Sequence, residues 1–144
     1  MARERMNFFH LAFGVNCLEE TRRFYVGVMG CTVGRSAATW IDFDFFGHQI
    51  SAHLRPTASQ SPDTFNAVDG DAVPIPHFGC ILDFESWSAL RKRLEANEQV
   101  FEIGPRIRFE GQAGEQATMF FRDPSGNALE FKSFRSQSDI FADA

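Results

Sequence analysis

The chain has 144 residues, is 44% hydrophobic with 17 phenylalanines, and carries a formal net charge of −5. That length suits one domain, and such a domain buries roughly two-thirds of its unfolded surface, so it needs no disulfide or zinc staple. The mild negative charge counts against nucleic acid or an anionic membrane as the main partner. No apolar run approaches the ~20 residues of a membrane span, and MARERMNFFH lacks the apolar stretch of a signal peptide. Cys17, Cys31 and Cys80 are odd in number and show no C-x-x-C spacing. They read as reduced thiols of an intracellular, cytoplasmic protein.

Residues 7–15 (NFFHLAFGV) read as a strand. Asn16, three residues before Glu19, is a capping-box-like start for a helix with Thr21, Phe24, Tyr25 and Val28 on one face. Gly30 suits the left-handed residue that ends it. A short strand fits Cys31–Gly34, and TWIDFDFF (39–46) alternates as another. Gly47 turns the chain into HQISAHLR (48–55). Residues 56–74 show almost no pattern and read as a linker. IPHFGCILDF (75–84) is the next strand, and Asp83 caps a helix with Trp87, Leu90 and Leu94 on one face. VFEIGPRIRF (100–109) is a strand interrupted by Gly104-Pro105, hence bulged or at an edge. EQATMFFR (115–122), the type I turn Asp123-Pro124-Ser125-Gly126 and NALEFKSF (127–134) complete the series.

Each half is strand, helix and three strands, so the expectation is an α+β domain spanning 1–144. It has a first βαβββ module at about 7–55, a linker at 56–74 and a second module at about 75–135. Setting HLAFGVN over HFGCILD superposes His10 on His77. Setting GHQISAHL over GNALEFKS superposes Ser51 on Glu130 and His53 on Lys132. The period of two in strands then puts His10, Ala12 and Gly14 on one face. It does the same for His77 and Gly79, for Glu130 and Lys132, and for Gln49, Ser51 and His53. The opposite face of every strand is apolar and is expected under the helices. Two imidazoles and one carboxylate, His10, His77 and Glu130, suit one divalent metal ion: Fe(II), Mn(II), Zn(II), Ni(II) or Co(II). Two His and one carboxylate also make the facial triad of non-haem iron oxygenases.

FHLAFGVNCLEETRRFYVGVMGC (9–31), GHQISAHL, PHFGCILDF and above all FFRDPSGNALEF (120–131) resemble the vicinal oxygen chelate superfamily. That superfamily includes glyoxalase I, bleomycin- and fosfomycin-resistance proteins and extradiol dioxygenases. The resemblance runs from about Phe8 to Phe134. It implies two βαβββ modules forming a cupped mixed sheet around the metal, helices outside, with His10, His77 and Glu130 at ligand positions. Ser51 departs from the pattern, since glyoxalase I enzymes usually carry Glu, Gln or His there. The resulting three-ligand site resembles the dioxygenases, which favours Fe(II).

In this superfamily the metal chelates two adjacent substrate oxygens and stabilises developing negative charge. A second group must move a proton. His53 is the first candidate, being on the ligand face and able to act as acid or base near neutral pH. Lys132, Arg106, Arg108 and Arg122 are candidates for binding an anionic substrate, with Gln49, Tyr25 and Trp40 behind them. The leading expectation is a dioxygenase-like metalloenzyme acting on a small molecule with vicinal oxygens. The alternatives are a glyoxalase-type isomerase or lyase and a metal-free small-molecule-binding resistance protein. The resemblance also implies a homodimer.

Overall fold

In the computed structural model, which describes residues 6–56 and 64–143, the chain divides into two compact units at residues 59/60. The first begins with β1 (His10–Val15) and α1 (Leu18–Arg22), which continues in π-helical turns over Arg23–Val28. Cys17, not Asn16, is the N-cap; no side chain caps this helix start, and the Thr21 hydroxyl donates to the Cys17 carbonyl at 2.7 Å. Gly30, at φ 86°, follows the helix as the sequence requires. β2 (Thr32–Ala37), β3 (Trp40–Phe45) and β4 (His48–Leu54) complete a mixed sheet in the order β1-β4-β3-β2, with β1 and β4 parallel. Phe46 and Gly47 both take positive φ, the two-residue turn that matches strand twist. One face of the sheet buries Ile41, Phe43, Phe45, Ile50 and Ala52. Tyr25 packs there, its ring 5.1 Å from that of Phe43.

The second unit opens differently. Residues 64–75, which take up most of the expected linker and the first residue of the strand expected at 75–84, form a hairpin of β5 (Thr64–Val68) and β6 (Asp71–Ile75). Asp69 and Gly70 make its turn, with φ 44° and 84°. The rest of that linker from 57 to 63 lies outside the described residues. β7 (Phe78–Ile81), α2 (Phe84–Ala96), β8 (Phe101–Arg108), β9 (Gln116–Arg122) and β10 (Ala128–Phe134) then repeat the first unit's order. The sheet runs β7-β10-β9-β8, with β7 and β10 parallel. His77 therefore stands just ahead of its strand rather than inside it. Asp83 caps α2 through Ser86 N–H at 2.7 Å, and Trp87, Leu90 and Leu94 are buried. The Trp87 indole donates to the Phe131 carbonyl at 2.9 Å, locking helix to sheet. β8 is an edge strand whose register slips around Gly104-Pro105.

The ladders support the internal repeat. Ala12 is the register partner of Ser51 in the first unit, and Gly79 that of Glu130 in the second. Both lie two residues beyond the aligned histidines.

Candidate metal centre

In the second unit, β10 carries Glu130 on the face away from α2, where it is buried to 6% exposure. Gly79 sits directly beside it because the two backbones touch; a Cβ there would run into the Glu130 carbonyl oxygen. His77, partly exposed, directs Nε2 at Glu130 Oε1 at 3.2 Å. Its Nδ1 lies 2.7 Å from the Pro74 carbonyl, which can only accept, so Nδ1 is the donor. The Phe120 ring stands edge-on to the imidazole at 5.0 Å.

The other carboxylate oxygen, Oε2, accepts from the Thr118 hydroxyl at 2.5 Å and Arg108 Nη1 at 3.2 Å. Arg108 reaches from β8 across β9, its guanidinium 5.8 Å from the Phe120 ring centre. Its side chain is 4% exposed, and Nη2 also binds Asp71 at 3.3 Å. Among the described residues, Arg108 Nε and Gln116 Oε1, on register partners, are buried without a protein partner. The hydrogen bond to Glu130 is the main cause that raises the His77 pKa above its ordinary value. Burial alone would discourage ionisation of Glu130. The hydrogen bonds from His77 and Thr118, with the charges of Lys132 and Arg108, more than offset it and lower its pKa.

This arrangement suits a cation. With Nδ1 held as donor, a neutral His77 presents an Nε2 lone pair to a carboxylate oxygen. Two acceptors at hydrogen-bond distance need a proton or a metal ion between them. The Pro74 contact is the kind of outer bond that fixes a metal-binding imidazole. Within this unit, among the described residues, no third His, Cys, Asp or Glu joins the pair as a ready cluster.

The first unit presents the corresponding face. His10 is exposed at the start of β1 with Gln49 as its register partner, and Gly14 pairs with an exposed His53. Ser51 is buried, and its hydroxyl donates to Asp42 Oδ1 at 2.5 Å, while Gln49 Nε2 reaches Asp42 Oδ2 at 3.4 Å. Asp42 borders a cavity of about 250 Å³ with Phe8, Arg35, His48 and Gln49. Parity of β3 places Asp42 on this face, a signal carried by the alternation of TWIDFDFF. His48 accepts the Phe9 N–H at 3.0 Å.

Several residues considered from sequence are engaged elsewhere. Tyr25 is fully buried among Phe13, Phe24 and Phe43. Arg122 pairs with Glu102 through two bonds of 2.5 and 2.9 Å. Arg106 binds Asp69 and Asp71, and Trp40 lies under the Arg35 guanidinium. Thr118, Phe120 and Asp71 join the site without a motif in the sequence that marks them.

The family model of the Glyoxalase/Bleomycin resistance protein/Dioxygenase superfamily matches residues 7–131. Among solved structures, a glyoxalase/bleomycin resistance protein/dioxygenase from Alicyclobacillus acidocaldarius is 30% identical. That likeness covers 97% of this chain and 100% of the other, with a TM-score of 0.79. A genomically encoded fosfomycin resistance protein from Listeria monocytogenes shares the fold at 15% identity and TM-score 0.67, covering 94% of this chain and 98% of its own. A glyoxalase/dioxygenase from Nostoc punctiforme does so at 16% identity and TM-score 0.66, covering 94% and 100%.

Proposed function

Because the chain belongs to the Glyoxalase/Bleomycin resistance protein/Dioxygenase superfamily, we propose that it is a metal-dependent enzyme of the vicinal oxygen chelate type, dioxygenase-like in its ligand set. Its ligands are His77, Glu130 and, by the repeat, His10. The observation that carries this reading is the Nε2–Oε1 pair, whose imidazole is turned by Pro74 so that its free nitrogen meets the carboxylate. A divalent ion, Fe(II) first and Mn(II), Zn(II), Ni(II) or Co(II) after it, supplies Lewis acidity toward two adjacent oxygens of a small substrate. Thr118 and Arg108 occupy Oε2, which leaves Oε1 as the donor atom. His53 is the residue we assign to moving a proton, and Lys132 adds positive charge near Glu130. Ser51, a neutral hydroxyl that donates to Asp42, is left out of the proposed ligand set.

The glyoxalase-type isomerase or lyase is the second reading. It is favoured by Gln49, the register partner of His10 and two residues before Ser51, whose amide oxygen is a candidate fourth ligand. Metal analysis of protein purified without chelators, followed by oxygen uptake on a panel of catechols, separates the two. The dioxygenase-like reading expects Fe(II)-dependent oxygen consumption that His10→Ala abolishes. Turnover of a vicinal-oxygen substrate without oxygen supports the second, and full activity in metal-free protein sinks both.

We also propose a cytoplasmic homodimer, which size-exclusion with light scattering tests; a clean monomer contradicts it. Among the described residues, no helix is long and apolar enough to cross a membrane.

A further inference from the structure

The β5–β6 hairpin supports both members of the His77–Glu130 pair. Pro74 of β6 supplies the carbonyl that holds His77 Nδ1 at 2.7 Å. Asp71, at the other end of β6, binds Arg108 through Oδ2 at 3.3 Å, and Arg108 in turn binds Glu130 Oε2 at 3.2 Å. The same hairpin is fastened to β8 and the residue after it by further bonds: Asp71 and Asp69 to Arg106 at 3.1 and 3.3 Å, and Asp69 to the Phe109 N–H at 3.0 Å. Each member of the pair is therefore held, directly or through one guanidinium, by a segment that can move only by breaking these bonds.

The charges give this geometry a consequence. Asp69, Asp71 and Glu130 face Arg106 and Arg108, so the group carries one net negative charge. Asp71 shares in neutralising Arg108. Without it, that guanidinium would act on Glu130 alone and oppose any second cation at the carboxylate. The effect acts where Arg108 and Glu130 are both almost fully buried and solvent screening is weak.

We propose that Asp71 is a positioning residue and that docking of the β5–β6 hairpin is coupled to loading of a divalent ion at the His77–Glu130 pair. The proposal rests on the reading of that pair as metal ligands. A docked hairpin keeps Nε2 and Oε1 aligned and Arg108 neutralised, so the ion binds more tightly. By linkage, the bound ion then stabilises the docked hairpin by the same factor.

The test uses Co(II) alone as probe on the full metal-free chain, followed by visible absorption. Asp71→Asn is expected to weaken Co(II) binding roughly 10- to 100-fold, as loss of an outer support does. Arg108→Lys, which keeps the charge but lacks the fork that bridges two carboxylates, is expected to weaken it as well. The second readout is hydrogen exchange of the hairpin amides. Co(II) should slow it in the wild type and have little effect in Asp71→Asn. Wild-type Co(II) affinity in Asp71→Asn, or hairpin exchange indifferent to Co(II), overturns the coupling. If the wild type binds no Co(II), the metal reading fails separately. The link between hairpin and pair, on which the coupling depends, is then read in metal-free protein, where His77→Ala, at a partly exposed position, should speed hairpin exchange. Unchanged exchange would overturn it.

Discussion

In the first unit Ser51 lies between Ala12 and Asp42; in the second Glu130 lies between Gly79 and Phe120. Strand order and register are the same, so the difference is one of loading. The first unit carries its carboxylate one strand over, on β3, and binds it to the serine beside it. The second carries it on β10 and surrounds it with His77, Thr118 and Arg108. The helix-facing side shows a similar exchange: Phe13 opposite Ala52 in one unit, Cys80 opposite Phe131 in the other. Large and small trade strands, which keeps the summed side-chain size of each pair similar, the kind of swap cores tolerate best. A fold of this type fixes where side chains point and leaves open which strand carries the charge.

Glu130→Ala is the strongest probe of that contrast. It leaves Arg108 buried with one carboxylate fewer, and should cost about 3–5 kcal/mol in urea unfolding. A cost no larger than that of Asp42→Asn would erase the distinction between the units. Gly79→Ala comes next. The added methyl meets the β10 backbone, so about 1–3 kcal/mol of destabilisation is expected. The mirror change, Ala12→Gly, should lose less than about 1 kcal/mol by the same assay, since it only frees the backbone. Equal losses would mean that the two first strands approach their neighbours alike. Ser51→Ala removes the hydroxyl on Asp42 and should lower stability by about 1 kcal/mol in thermal melts; no change would show the pair to be idle. The smallest effect is chemical. Burial pushes the Cys80 thiol up to about 11. At pH 8 only about one thiol in a thousand is then ionised, so iodoacetamide should modify Cys80 slowly, and roughly tenfold faster per pH unit until about pH 11. Rapid labelling at pH 8, read by mass spectrometry, would contradict it.

Much of this was legible because strands alternate. The aligned histidines and the period of two put Ser51 and Glu130 in equivalent places, and the ladders put them there too. The hairpin at 64–75 stands where the sequence suggests mostly linker, although Asp69-Gly70 is a strong signal for a two-residue turn with two positive φ values. It was masked by flanks that are largely exposed and carry weak polar alternation. Asn16 looked like a better cap than Cys17, but the backbone begins the helix one residue later and satisfies Thr21 instead. Phe120 escaped because β9 is buried on both faces, and a strand of that kind shows a continuous apolar run rather than alternation. From sequence alone Arg108 is a candidate for binding an anionic substrate. Its actual partners lie 22 and 37 residues away, and no local pattern could announce them.

The strand order has a consequence for synthesis. β10 is last in sequence among the strands yet sits inside its sheet, between β7 and β9. β7 pairs with β10 alone, so its ladder stays unmade until residue 134 has left the ribosome, whereas the first unit can close its ladder once Leu54 has emerged. At roughly 5–20 residues per second the chain spends several seconds with one half zipped and the other open. During that interval the donors and acceptors of Phe78–Ile81 are the ones a chaperone would have most reason to cover.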